Sequence, residues 1–276
     1  MNAIHVISTA PFFAKNPQGE YRAEDFDLYC MALSALCWRR YNGDITLCCD
    51  KTAAEYYRSI GLTELWNEID ECVPDDLDGI NPTMFWAGGK LLALRRRTAP
   101  VVMLDTDFIV WRPLPLGNEI VAAHREELSS DIYPPLGYFR TRGHILPYFS
   151  ETVPALNTAF LYIPNGDFLD FYTSQAIAFM KSAEDCDDYL CYMVFAEQRL
   201  AAMCAQFTDT PVRTLLDKEL LFFPQDCFTH LWGAKQAMRD NPDLRADFVG
   251  RCRRRIRSDF PEYGGIADKI DRAAAE

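Results

Sequence analysis

The stretch Val101-Val102-Met103-Leu104-Asp105-Thr106-Asp107-Phe108-Ile109-Val110 decides how this chain is read. Four apolar residues read as a buried strand, two carboxylates follow where that strand should run out, and a second apolar run resumes at once. Asp105 and Asp107 stand two residues apart, so in an extended chain they project to the same side. Two hard oxygen ligands at a strand end form a seat for Mg²⁺ or Mn²⁺, usually shared with the phosphates of a substrate. Asp25/Asp27, Asp76/Asp78 and Asp185/Asp187 repeat the spacing, but in polar surroundings. Only Asp105/Asp107 lies between apolar runs, where unpaired charge is costly.

Upstream of that stretch, strand-like and helix-like segments alternate. Ile4–Ser8 reads as a strand, Glu24–Arg40 as a helix, Asp44–Cys49 as a strand and Thr52–Ile60 as a helix stopped by Gly61. A short strand over Ile69–Val73 and a helix over Thr83–Arg97 follow, the latter ending in three arginines that suit its negative pole. This βαβα rhythm predicts an α/β fold with a mostly parallel sheet covered by helices on both faces. Such sheets bind ligands at the carboxyl ends of their strands, where Thr9, Asp50 and Asp105 would gather. The rhythm breaks after Glu119–Ala123. His124–Pro154 is rich in Pro, Gly and aromatic residues, and a stretch that long without a period points to function. A strand is expected over Leu156–Ile163, helices over Asp167–Lys181 and Asp187–Phe207, short strands over Thr214–Leu216 and Leu220–Phe223, and a helical tail. No linker or repeat divides the chain, so residues 1–276 read as one domain with a basic helical segment from about 240 to 276.

A chain of 276 residues, 49% of them hydrophobic, can bury a full core. Its net charge of −12 and pI near 4.8 leave no extended basic field, so no nucleic acid partner is expected. Met1–Ser8 reads as a first strand and not as a signal peptide, and no run reaches the length of a membrane span. The ten cysteines contain no Cys-x-x-Cys pair; they read as reduced core residues, with no structural zinc site expected.

Three further clusters carry chemistry. Lys90 shares a helical stripe with Trp86, Ala87, Ala93 and Leu94, so it either reaches past them to the surface or meets an anion. Glu197, bordered by Gln198, falls on the apolar stripe Leu190, Met193, Val194, Ala201 and Cys204. A carboxylate there carries a function or pairs with an arginine at the core edge. In His230-Leu231-Trp232-Gly233-Ala234-Lys235, a neutral imidazole can ligate Mn²⁺, Gly233 permits close backbone approach and Lys235 supplies a point charge for phosphate. The alternative is a strand-to-helix turn with one histidine. His5 reads as a core residue, His124 and His144 as loop residues.

Together these segments resemble the GT-A-fold glycosyltransferases, most closely the group that includes glycogenin and the lipopolysaccharide galactosyltransferases. The likeness rests on a lysine-bearing helix leading into Leu104-Asp105-Thr106-Asp107 with Pro113 beyond, a strand carrying Asn157, the pair Glu197-Gln198 and His230-x-x-Gly233-x-Lys235. It implies a Rossmann-like mixed sheet and transfer of a hexose from a nucleotide-sugar, commonly a UDP-sugar, with retention of configuration. Asp105, Asp107 and His230 would hold Mn²⁺ (or Mg²⁺), Lys235, Thr106 and Gly233 would serve the diphosphate side of the donor, and Lys90 would sit near the donor sugar or phosphate. Thr9 and Ala10, with Asp50 nearby, would line the base pocket, and Asn157, Glu197 and Gln198 would face the sugar. The group commonly has Asp where Glu197 stands and places the last lysine one residue further on.

Two other readings stand beside this one. A haloacid-dehalogenase-type phosphatase also carries Asp-x-Asp after an apolar strand, and a catalytically silent sugar-nucleotide-binding protein would retain the same fold. The expected partners are a nucleotide-sugar donor and a glycan or lipid-linked acceptor. The expected location is the cytoplasm, with the five arginines of Arg251–Arg257 as a candidate peripheral contact to the inner face of the membrane, or else a solvated helix face.

Overall fold

The computed structural model describes residues 1–275. Its strands are β1 (Ala3–Ile7), β2 (Ile45–Cys49), β3 (Glu68–Asp70), β4 (Val101–Leu104), β5 (Phe108–Val110), β6 (Ile120–Ala122), β7 (Phe160–Ile163), β8 (Val212–Thr214) and β9 (Phe228–His230). Seven of them form one sheet in the order β3-β2-β1-β4-β7-β6-β8, while β5 and β9 form a separate antiparallel ribbon. Within the sheet, β1 pairs in parallel with β2 and β4, β2 with β3, and β6 with β8; only β7 runs antiparallel to its neighbours. The class is α/β, with a mixed, mostly parallel sheet flanked by helices, as the βαβα rhythm predicts.

The helices are α1 (Ala10–Lys15), α2 (Asp25–Tyr41), α3 (Lys51–Ser59), α4 (Gly88–Arg95), α5 (Gly166–Ser182), α6 (Tyr189–Val194), α7 (Leu200–Phe207), α8 (Ala234–Asp240), α9 (Pro242–Asp259) and α10 (Gly264–Ala275). Alternate strand residues serve opposite faces. Ala3, Leu47, Val102, Leu104 and Phe160 pack with α2, α9 and α10, while Ile4, Cys48, Met103 and Leu161 pack with α4, α5 and α7. The basic C-terminal segment is thus part of a core, through Cys252, Ile256, Ile266 and Ile270. No described helix is long and apolar enough to cross a membrane.

Several expected boundaries move for local reasons. The helix expected over Thr83–Arg97 shortens to α4, because the Asn81 side chain accepts from Thr83 N and Met84 N and holds the preceding residues in turns. The strand expected from Leu156 begins at Phe160, since Leu156 and Asn157 give their backbone N–H groups to Gln198 and His124. Lys218–Phe222 forms a 3₁₀ turn, not a strand. The helix expected over Asp187–Phe207 is interrupted by a π-helical turn at Phe195–Arg199, and Leu190, at its first turn, faces solvent.

The arginine cluster is largely neutralised. Arg251 pairs with Asp247, Arg253 with Asp271, Arg255 with Asp259 and Arg257 with Asp268. Four of the cluster's five arginines are thus paired with the protein's own aspartates.

Candidate functional site

A cleft of about 710 Å³ opens at the carboxyl ends of β1 and β4. Residues 105–108 do not stay extended there. They form a turn in which Phe108 N donates to Asp105 O at 3.0 Å, and this turn, not strand alternation, directs both aspartates into the cleft. Beyond it the chain enters the β5–β9 ribbon, whose register sets Phe108 opposite His230. The ribbon therefore delivers His230 to the aspartates, and donor atoms of Asp105, Asp107 and His230 lie within 4.8 Å of one another.

Two lysines thread this group. Lys90 Nζ lies 2.5 Å from Asp105 Oδ1 and 3.0 Å from Glu197 Oε1. Lys235 Nζ lies 3.1 Å from Asp107 Oδ2 and 3.0 Å from Asp27 Oδ1. Burial works against both ammonium charges, but the flanking carboxylates outweigh it and raise both pKa values. Burial also opposes ionisation of Asp107, yet Lys235 and His230 hold its pKa below the usual range. Glu197 is pushed upward, by burial first, with Lys90 acting against that and Asp105 adding to it. Burial lowers the pKa of His230, which keeps the imidazole neutral and able to ligate.

The helical elements explain these placements. Gly89 lets α4 press against the end of β1: a Cβ there would stand 2.9 Å from Ser8 Cβ. That close approach brings Lys90 to the cleft. The wide turn at Phe195–Arg199 turns Glu197 and Gln198 toward it, and the Glu197 carbonyl accepts from Tyr172 Oη at 2.6 Å. Glu197 pairs with Lys90, not with the arginine that a core-edge carboxylate was expected to find. Lys90 does meet anions, though they are the protein's own.

Asn157 and Gln198 line the cleft but are partly engaged. Asn157 Nδ2 donates to Glu126 Oε1 at 3.0 Å, and Gln198 Oε1 accepts from Tyr133 Oη at 2.6 Å. Thr106 also lines the cleft. Thr9, Ala10, Asp50 and Gly233 do not form part of its wall, whereas Ser8 and Phe12 do. The Asp50 carboxylate is buried and caps α3 through Ala53 N, with its other oxygen accepting from Thr9 N. Its two hydrogen bonds join the loop after β1 to the start of α3. His124, expected in a loop, is buried, with its ring tilted against Trp232 and Nε2 unpartnered. His5 is a core residue.

Two cleft residues escape sequence reasoning. Asp27 sits in the polar Asp25/Asp27 pair, but it shares the α2 face of Met31, Ser34 and Trp38, all buried. That stripe is the missed signal. Trp232 is half-exposed, stacks on His230 at 6.0 Å between centroids and 6° between planes, and holds φ at +42°. A bulky residue in that region is strained, as residues at functional sites often are.

Comparison with known proteins adds the following. No curated protein matches the sequence. Among solved structures the chain is similar to one titled PaToxG glycosyltransferase, at 10% identity and TM-score 0.41 over 99% of this chain and 84% of that one. It is also similar to the galactosyltransferase LgtC in complex with donor and acceptor sugar analogs, at 12% identity and TM-score 0.42 over 91% of this chain and 96% of that one. A family model described as a family of unknown function, DUF6734, matches residues 12–230, and the chain belongs to that family.

Proposed function

We propose that this single-domain chain is a GT-A-like glycosyltransferase that moves a hexose from a nucleotide-sugar, a UDP-sugar first among them, to a hydroxyl of a glycan or lipid-linked acceptor. One observation carries the reading: Asp105, Asp107 and His230 converge within 4.8 Å beside two half-buried lysines in a cleft of about 710 Å³. The donor set of two carboxylates and a neutral imidazole suits Mn²⁺ or Mg²⁺, and Asp105 Oδ1, now held by Lys90, is the oxygen an ion would share with that lysine. When bound, such an ion neutralises the charge that grows on a departing diphosphate, an effect of several kcal/mol.

The chain's own groups supply the rest. Lys235 and Lys90 present ammonium groups that a diphosphate can share with the carboxylates now holding them. Asn157, Gln198 and Glu197 stand on the side of Lys90 and would meet the sugar. Glu197, with Lys90 against it, is the carboxylate placed to stabilise an oxocarbenium-like sugar on the retaining course. The loop 124–154 would shape the acceptor side. Membrane contact through Arg251–Arg257 finds little support, since four of its five arginines are paired with aspartates.

A phosphatase of the haloacid-dehalogenase type would need the second aspartate as a general acid. Asp107 is held ionised chiefly by Lys235, the opposite of what that role requires. The deciding experiment is isothermal titration with UDP, GDP, CDP and dTDP, each with Mn²⁺ and with EDTA. Metal-dependent binding of one diphosphate, lost in Asp107→Ala, is the expected result. Absence of binding to all four would remove the proposal.

A further inference from the structure

A second cluster of metal-ligating side chains lies away from the cleft, between β2 and the end of β3. Cys48 of β2 stands opposite Asp70 of β3 in the parallel register, and Cys72 follows two residues later. The two Sγ atoms and a carboxylate oxygen of Asp70 lie within 4.8 Å of one another. Both cysteines are buried, whereas the Asp70 side chain is 32% exposed and forms the way in from solvent. No Cys-x-x-Cys spacing announces this group, because strand pairing and not local sequence brings it together.

The surroundings suit a cation. Arg97 ion-pairs with Asp70 and holds its carboxylate, as partners of ligating carboxylates do. Arg96 Nη1 donates to Cys72 O at 2.8 Å and holds that residue's backbone. Two thiolates and a carboxylate carry three negative charges and the Arg97 guanidinium one positive charge. The remainder matches a divalent ion, and thiolate donors select Zn²⁺ or Cd²⁺ over Mg²⁺ or Mn²⁺.

We propose that Cys48, Asp70 and Cys72 bind one thiophilic divalent cation, at a site separate from the hard-ligand group of Asp105, Asp107 and His230. Binding forms two metal–sulfur bonds and releases both thiol protons to solvent, with no change of oxidation state. The ion would tie β2 to the segment that carries Val73. Val73 in turn backs α4 at Gly89, where an added Cβ would stand 3.4 Å from Val73 Cγ1.

Titration of the full-length, phosphine-reduced chain with Cd²⁺ tests this through the ultraviolet sulfur-to-cadmium charge-transfer band. The band should saturate at one equivalent, be displaced by Zn²⁺ and not by Mg²⁺, disappear in Cys48→Ser and Cys72→Ala, and persist in Asp107→Ala. Should either cysteine variant fail to fold, ¹¹³Cd NMR of the unaltered protein gives the answer: one equivalent should give one resonance in the downfield range that thiolate ligands produce. Absence of the band, its survival in the folded Cys48→Ser protein, or a ¹¹³Cd shift in the range of oxygen ligands alone would overturn the assignment.

Discussion

Lys235 holds its ammonium 3.0 Å from Asp27, which ties the segment after β9 to the first turn of α2. Lys90 repeats the arrangement on the other side of the aspartate turn, between Asp105 and Glu197. Each lysine thus straddles one aspartate of the turn and one helix-borne carboxylate. A metal ion would engage Asp105 and Asp107, while an entering diphosphate would compete with Asp27 and Glu197 for the ammonium groups.

That competition gives two variants opposite signs. Burial pushes the Asp27 pKa up, with Lys235 opposing, so its negative charge is held chiefly for that lysine. Asp27→Asn should release Lys235 and tighten Mn²⁺-dependent UDP binding severalfold by isothermal titration. Asp107→Ala should bring the same binding below detection. Weakening in both variants would mean that Asp27 positions Lys235 instead of competing for it.

Lys90→Met would leave Asp105 and Glu197 facing each other without their shared cation. Breaking a buried pair in this way costs on the order of 3–5 kcal/mol, and urea unfolding should show a loss of that size. Adding Glu197→Gln should recover much of it, since one of the two stranded carboxylates is then neutral. A double variant no more stable than Lys90→Met would show that the lysine acts mainly through packing.

Acid should destabilise the protein partly through His5. Trp66 Nε1 donates to His5 Nδ1 at 3.2 Å, so Nε2 carries the proton and donates to Ser34 Oγ at 3.0 Å. Ser34 then donates to Phe108 O at 2.6 Å. Burial lowers the His5 pKa to about 3, with Asp107 opposing. Below the unfolded value of 6.5 the unfolded chain binds the proton and the folded chain does not, so stability present above that pH is lost toward pH 3. The slope from this residue is about 1.4 kcal/mol per pH unit. His5→Gln should start less stable at pH 7 and show a flatter decline between pH 6 and 4; parallel curves would assign the acid sensitivity elsewhere.

Arg199 pins the long loop. Its Nη1 donates to Tyr133 O at 3.0 Å and to Pro134 O, and its Nη2 to Glu151 O at 3.0 Å, from a nearly fully buried position on the π-helical turn. Arg199→Ala should cost at least ~2 kcal/mol through lost charged hydrogen bonds and stranded carbonyls. Limited proteolysis should then cut within residues 133–151 while nucleotide binding persists. Protection equal to that of the unaltered protein would show that the loop is held by its apolar contacts alone.

Much of the frame was legible because β1, β2 and β4 are short apolar runs, and such runs declare themselves without partners. What depends on partners was not. The pairing of β5 with β9 joins distant segments, the Asp27 stripe on α2 acquires meaning only beside Lys235, and the arginines of α9 look basic until Asp268 and Asp271 fold against them. The wide turn at Phe195–Arg199 leaves no periodic mark, because its residues are as helix-compatible as their neighbours. Asp105 and Asp107 do face one cleft, but through a turn that strand periodicity does not foresee.

The β5–β9 ribbon sets an order of events during synthesis. Asp107 emerges early, whereas His230, which stands across the ribbon from Phe108, and the nearby Lys235 are made more than a hundred residues later, a delay on the order of ten seconds at 5–20 residues per second. The sheet edge and the aspartate turn can therefore exist on the ribosome well before the ligand set closes. A nascent chain would offer two aspartates and no imidazole, and the centre would become complete only when the ribbon's second strand arrives.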